Sequence, residues 1–208
     1  MPRPARISPD RILAAAALEF SERGWAGARV DRIARRARVN KAMLYYHFGS
    51  KQGIYRTLLR HTFGTIAARL DAIAASRRPP ADTLDAAIET LAAFIEEHAF
   101  FPSIMLREVA EGGAHLDPET LAALAAVPRA FAAILTPGIE QGAFRRMHPL
   151  AAYFTTVAPI LMFVASTPVR QRLSAKKLLA RQPTLTRDRF LADLKQSLRR
   201  AFAASSTA

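Results

Sequence analysis

No cysteine occurs in the 208 residues of this chain. A disulfide scaffold and any thiolate-bound zinc or iron–sulfur centre are therefore excluded. Valine and isoleucine are sparse beside alanine and leucine, a balance that favours helices over strands. The amino terminus, MPRPARISPDR, has no long apolar run behind its charges and lacks the form of a secretory signal. The longest apolar stretch, Tyr153–Ala165, is broken by Pro159 and falls short of the roughly 20 residues that cross a bilayer. A cytoplasmic chain without a membrane partner is expected. No HExxH, GxSxG, phosphate loop or convergent nucleophile–base set is present. No enzyme activity, no cofactor and no metal are expected.

Acids are scarce where bases are dense. Thirteen of the 30 Lys and Arg residues but only four of the 17 acids fall in the first 60 residues, which leaves +9 of the +13 formal charge there. A polyanionic partner for the amino-terminal part is the natural reading.

Half of the residues are hydrophobic, and their spacing is helical. Ile12, Leu13, Ala16, Ala17 and Phe20 mark an amphipathic helix over 10–23, with Ser8-Pro9 as its start and Gly24 as its stop. Two short helices follow, over 29–37 and 40–48, the second capped by Asn40. A long helix begins at Lys51 and runs to about Ala75. Beyond the break Arg77-Arg78-Pro79-Pro80, helices are expected over 82–98, 102–110, 118–141, 149–166 and 187–204, with a loop around Gln182-Pro183-Thr184. Pro128, Pro137 and Pro159 are expected to kink or split their helices.

The two short helices carry the chemistry. Isolated helices of that length are marginal, so they must pack on each other and on the first helix around a tight turn at Arg38-Val39. The exposed face of the last one then reads Lys41, Ala42, Met43, Tyr45, Tyr46 and His47. It holds one cation, small residues and aromatics with polar tips, and no acid. Such a helix can enter a major groove and meet phosphates at its flanks.

The run from Arg11 to Tyr55, above all IARRARVNK followed by LYYHFGSK, resembles the amino-terminal domain of the TetR (tetracycline-repressor-like) family. The resemblance implies an all-α fold. A three-helix helix-turn-helix head over 8–52 would be joined by a long helix to a larger ligand-binding and dimerisation body over 53–208. It places Lys41, Ala42 and Met43 against bases and Tyr45 and His47 against phosphates or groove walls. Arg29, Val30, Asn40 and Tyr46 join the DNA-contacting set, and Lys51 becomes a phosphate-binding lysine at a helix start. Three residues depart from the family's usual pattern. Arg38 stands where glycine is usual in the turn, Ala28-Arg29 stand where a hydroxyl usually opens the second helix, and Ala42 replaces a common glycine.

For the body, the resemblance implies a pocket among the middle helices and a homodimer through the last two long ones. Phe94, Phe101, Met105, Phe131 and Met162 are candidate pocket residues. Phe154, Val157, Leu161, Leu194 and Leu198 are candidate dimer residues. Arg107 and Glu108 are expected to pair with buried polar groups, and His115 to lie on a surface loop. The implied function is a repressor that binds double-stranded DNA at a palindromic operator and releases it when a small apolar or amphipathic molecule enters the body. The alternative is a DNA-binding regulator or architectural protein that uses the same head without an inducer.

Overall fold

The computed structural model describes residues 9–178 and 184–204. Ser8, the basic tail Arg3–Arg6, and Gln182-Pro183 of the expected loop lie outside the described residues. Among the described residues there are ten helices: α1 (Pro9–Gly27), α2 (Val30–Ala37), α3 (Lys41–Phe48), α4 (Lys51–Ala74), α5 (Pro80–Glu97), α6 (Phe101–Ala110), α7 (Pro118–Glu140), α8 (Pro149–Ala165), α9 (Thr167–Ala175) and α10 (Arg187–Phe202). The only pairing of extended chain among them is one antiparallel bridge between Phe144 and Ala203.

The chain forms two compact units, Met1–Phe63 with Phe100–Leu124, and Gly64–Ala99 with Ala125–Ala208. In the first, α1 packs on α2 and on α6, and α2 packs on α3. Its interior holds Ile12, Leu13, Ala16, Ala17 and Phe20 from α1, Ile33, Ala34 and Ala37 from α2, Leu44 from α3, and Ile54, Tyr55 and Leu58 from α4. The apolar spacing of each short helix thus supplies one inward stripe, and the stripes meet. The helical course of α1 is broken at Gly24 (φ 67°, ψ 179°) before a last turn to Gly27.

In the second unit α5 packs against α8 and α10. A ladder of ion pairs runs along the α5–α10 seam. Arg187 meets Glu96 at 2.8 Å, Lys195 meets Glu89 at 2.6 Å, and Arg199 meets Asp85 at 2.7 Å. The acids ascend α5 as the bases descend α10, so the two helices are antiparallel. Leu191, Leu198 and Phe202 lie beneath the ladder.

Two features differ from the sequence expectation. The segment after Ser166 forms a further helix, α9. It buries none of its residues, so apolar periodicity gives no signal for it. Of the kink or split expected at the interior prolines, the split does not occur: α7 runs through Pro128 and Pro137, and α8 through Pro159. Burial of Val127, Ala130, Phe131, Ile134 and Leu135 around the α7 prolines stabilises the helix by more than the loss of a backbone hydrogen bond at each ring. By length and composition α7 is apolar enough to cross a membrane. It carries Arg129 at its middle, however, and turns those five side chains into the protein interior.

Candidate DNA-binding surface

The turn between α2 and α3 is made by Arg38, which adopts the left-handed conformation (φ 50°, ψ 50°). Its N–H donates to the Arg35 carbonyl at 3.1 Å, and the Val39 N–H donates to the Ala34 carbonyl at 3.0 Å. These bonds close the helix end and force the chain to reverse. The left-handed geometry is the one a glycine accommodates without strain; here an arginine bears it.

The start of α2 lacks a side-chain cap of its own, as Arg29 at the N-cap makes none. The deficit is met from α1. Glu19 is fully buried, and its Oε1 accepts the Arg29 N–H at 3.3 Å. The same carboxylate lies 3.6 Å from Arg32 and 4.0 Å from Arg36. Arg36 also grips Glu22 through two hydrogen bonds of 2.9 and 2.5 Å. The carboxylate therefore serves as a cap supplied in space rather than in sequence, and the positive end of the α2 dipole favours it. Sequence reading missed Glu19. The signal was an acid inside the apolar phase of α1, between Ala16 and Phe20, with arginines four residues apart on the next helix.

Asn40 caps α3, its Oδ1 accepting the Ala42 N–H at 3.0 Å. Of the eight α3 residues only Leu44 is buried. Lys41, Ala42, Tyr45, Tyr46 and His47 are exposed and Met43 is half-buried. Tyr46 is the most open large side chain of the set at 82 %. Lys41 Nζ pairs with Asp31 of α2 at 2.7 Å and stands 5.9 Å from the Tyr45 ring centre. That ion pair holds the Asp31 carboxyl below its ordinary range and the Lys41 ammonium above its own. On α2, Arg29 is exposed and Val30 half-buried.

The junction of α3 and α4 is equally tight. Ser50 Oγ accepts the Gly53 N–H at 3.0 Å. A Cβ at Gly53 would stand 1.9 Å from the Phe48 carbonyl oxygen, so glycine is required for α4 to begin so close to the end of α3. Lys51, first in α4, places Nζ 4.7 Å from the Trp25 ring centre. Partial burial lowers its pKa, and the charge of Glu19 opposes that shift. All ten expected DNA-contacting residues lie in the same unit, on α2, α3, the turns beside them and the first residue of α4.

Residues 12–58 match the model for bacterial regulatory proteins of the tetR family, and residues 80–194 match that for the tetracyclin repressor-like C-terminal domain. The chain belongs to the TetR family. It is 33 % identical over 138 residues to the HTH-type transcriptional repressor NicS of Pseudomonas putida, a stretch covering 64 % of this chain and 62 % of that relative. Among solved structures it resembles the TetR family transcriptional regulator PfmR of Thermus thermophilus, with 25 % identity, a TM-score of 0.67, and 91 % and 95 % of the two chains covered. The fatty acid degradation regulator FadR of Bacillus halodurans shares the fold, with a TM-score of 0.69 at 15 % identity over 92 % of this chain and 98 % of that one. TetR-family regulators are soluble DNA-binding proteins that take small-molecule ligands and act as dimers. The family-model match over residues 12–58 takes in α2, α3 and the start of α4.

The structure distributes the expected TetR pocket residues over both units. Phe101 and Met105 belong to the first, where Phe101 packs edge-on against Phe63 at 5.9 Å. Phe94, Phe131 and Met162 belong to the second. Phe94 is fully buried and stacks on His98 at 4.1 Å. Phe131 is fully buried against Tyr153 at 5.9 Å, and burial raises the Tyr153 hydroxyl pKa to about 12. Met162 faces outward, 52 % exposed. A cleft in this unit is lined by Val169, Arg172 and Leu173 of α9 and by Lys176 just beyond it, none of them an expected pocket residue. Of the expected dimer residues, Phe154 is 56 % exposed and Leu198 is buried. Val157, Leu161 and Leu194 are half-buried.

Glu108 pairs with a buried polar group as expected, whereas Arg107 is exposed and binds carbonyls nearer the surface. Arg107 donates to the Phe20 and Ser21 carbonyls at 3.2 and 3.0 Å, and Glu108 accepts the Tyr55 hydroxyl at 2.6 Å. His115, expected on a surface loop, is instead drawn inward. Its ring packs 4.6 Å from Trp25, and its Nδ1 lies 2.9 Å from Glu108 Oε1. The turn Gly112-Gly113, with φ of 67° and 75°, folds the chain back over the last turn of α6.

Proposed function

We propose that this chain is a cytoplasmic, homodimeric repressor that inserts α3 into the major groove at each half of a palindromic operator. A small apolar or amphipathic ligand bound by the body over 53–208 releases the head over 8–52 from DNA. The observation that carries this reading is α3 itself. It buries one residue, exposes Lys41, Ala42, Tyr45, Tyr46 and His47, contains no acid, and lies beside Lys51 at the start of the next helix. Lys41, Ala42 and Met43 face bases. Arg29, Val30, Asn40, Tyr45, Tyr46, His47 and Lys51 hold phosphates and groove walls. A dimer sets two such helices about one DNA turn apart, and Phe154 with its half-buried neighbours Val157 and Leu161 supplies apolar surface for it. A ligand lowers DNA affinity only by its preference for the DNA-free state of the heads. The reading assigns the chain no catalytic step.

Selection of bound DNA from a random pool tests it. The expected product is a palindrome, and log affinity for it falls steeply with log salt. Selection of no common sequence, or a flat salt response, overturns the reading. A second reading, a DNA-binding protein without an inducer, is favoured by the full burial of Phe94 and Phe131. A thermal-shift screen with lipophilic compounds separates the two: only the sensor is stabilised in a saturable way.

A further inference from the structure

We propose that Glu108, Glu111 and His115 form a binding site for a borderline divalent cation of the Zn2+ class, on the last turn of α6 and the glycine turn that follows it. One donor atom from each residue lies within 4.8 Å of the other two. His115 Nδ1 is 2.9 Å from Glu108 Oε1 and 3.4 Å from Glu111 Oε2. Tetrahedral zinc with ligands at about 2.0–2.1 Å sets its donors about 3.3 Å apart, and those two distances bracket that edge.

A second observation points to a ligand. Glu108 is 2 % exposed. Its Oε1 takes both Tyr55 and His115, while Oε2 of the same carboxylate is buried without a hydrogen-bond partner. A buried carboxylate oxygen left unmet is costly. A cation bound through the Glu108 carboxylate would offer that charge a partner which no protein donor supplies. The nearby guanidinium groups are held elsewhere, Arg56 by Asp117 at 3.3 Å and Arg107 by the Phe20 and Ser21 carbonyls. Two carboxylates and an imidazole suit zinc and its first-row neighbours, and three protein ligands leave a position for water. The Tyr55 hydroxyl donates to the buried carboxylate and holds its orientation, as outer groups commonly do at metal sites.

The site reports on itself. Trp25 is the chain's only tryptophan, and its ring lies 4.6 Å from His115 and 4.7 Å from Lys51 Nζ. The full-length protein, stripped with chelator and desalted, is titrated with ZnCl2 while tryptophan emission is followed. Zinc retained after a second desalting is measured by elemental analysis. The expected result is a saturable emission change complete at one zinc per chain. Glu111→Gln and His115→Gln each weaken the apparent affinity at least about tenfold. Glu111 is about half exposed, so E111Q in chelator melts as the parent does and remains informative if H115Q fails to fold. Absence of both retained zinc and an emission change overturns the site. Wild-type affinity in E111Q also overturns it and moves the metal to other histidines.

Discussion

Replacing Arg38 by glycine should stabilise the protein, although it removes a side chain and adds backbone freedom. Arg38 sits at φ 50°, ψ 50°, a conformation costing an L-residue roughly 1–2 kcal/mol. Glycine removes that strain but lowers stability by roughly 0.4–1 kcal/mol through the unfolded chain's added entropy. The expected net gain for R38G is about 0.5–1 kcal/mol, or about 1–4 °C in Tm for a chain of this size. Arg38→Ala is the control. It keeps the strain while discarding the guanidinium, which is exposed and has no carboxylate within ion-pair distance among the described residues. R38A should therefore stay within about 0.5 kcal/mol of the parent. Urea unfolding of all three proteins, followed by Trp25 emission and circular dichroism, gives the order. R38G no more stable than R38A refutes the strain argument. The pair also separates scaffold from contact. If Arg38 meets a phosphate, both variants lower the slope of log affinity against log salt by about 0.9, whatever each does to stability.

Lys51→Ala should weaken binding to every DNA sequence alike and lower the same slope by about 0.9, whereas Lys41→Ala should also change sequence preference. Anisotropy titrations on the selected operator and on mismatched duplexes distinguish the two, and an unchanged slope in K51A removes Lys51 from the contact set. Glu19→Gln, which keeps volume but loses the charge, should cost about 2–3 kcal/mol, since the group is fully buried and receives a backbone N–H while its arginines are partly exposed; a loss below about 0.5 kcal/mol in urea would show that Glu19 is not the cap of α2. Acid should loosen the α5–α10 seam. The hydrogen bond from Lys195 lowers the Glu89 pKa below its ordinary 4.5, so its stabilisation is present above pH 4.5 and is lost as pH falls through the lower folded value. E89Q should thus lose stability at neutral pH and narrow the gap between the two proteins at low pH; a gap constant with pH sinks the assignment. Gly53→Ala, favourable in an open helix by roughly 1 kcal/mol, should instead destabilise by about 1–3 kcal/mol, because the new Cβ meets the Phe48 carbonyl.

The head is legible in the sequence because its determinants are local. The inward stripe of each helix, the Asn40 cap and the reversal at Arg38 all lie within a few residues of the groups they act on. The left-handed turn is legible even where arginine replaces the expected glycine, since two short helices at that spacing leave no other way back. What escapes is non-local or aperiodic. Glu19 caps a helix ten residues away, and its partners Arg32 and Arg36 look like surface charge until α1 and α2 are packed. His115 reads as a loop residue because the sequence does not show that Gly112-Gly113 returns it to Glu108 and Trp25. The helix α9 buries nothing and so has no periodicity to find. Phe94 and Met162 are alike as apolar residues on apolar helices, yet one is sealed and the other open, a difference set by neighbours that no spacing encodes.

The same packing decides what the amino-terminal charge can do. The +9 excess of the first 60 residues does not amount to thirteen phosphate contacts. Arg32 and Arg36 are held by Glu19 and Glu22, Lys41 by Asp31, Arg56 by Asp117, and Arg60 by Glu119 and Asp117. Arg36 and Arg32 therefore bind the head together more than they bind DNA. Lys41 differs from them. Its partner Asp31 is exposed, so on the proposed reading a phosphate or base edge can take the lysine over, leaving a carboxylate close to DNA. If α3 enters the groove as proposed, that exchange makes Asp31 a negative element at the interface, one that penalises every site where Lys41 gains too little to leave it. Specificity at the Lys41 position then comes from a difference between two partners rather than from one attractive contact. Asp31→Asn should accordingly tighten binding to mismatched duplexes more than to the selected operator. Equal tightening on both would mean that the ion pair stays closed on DNA and that Lys41 reads no base.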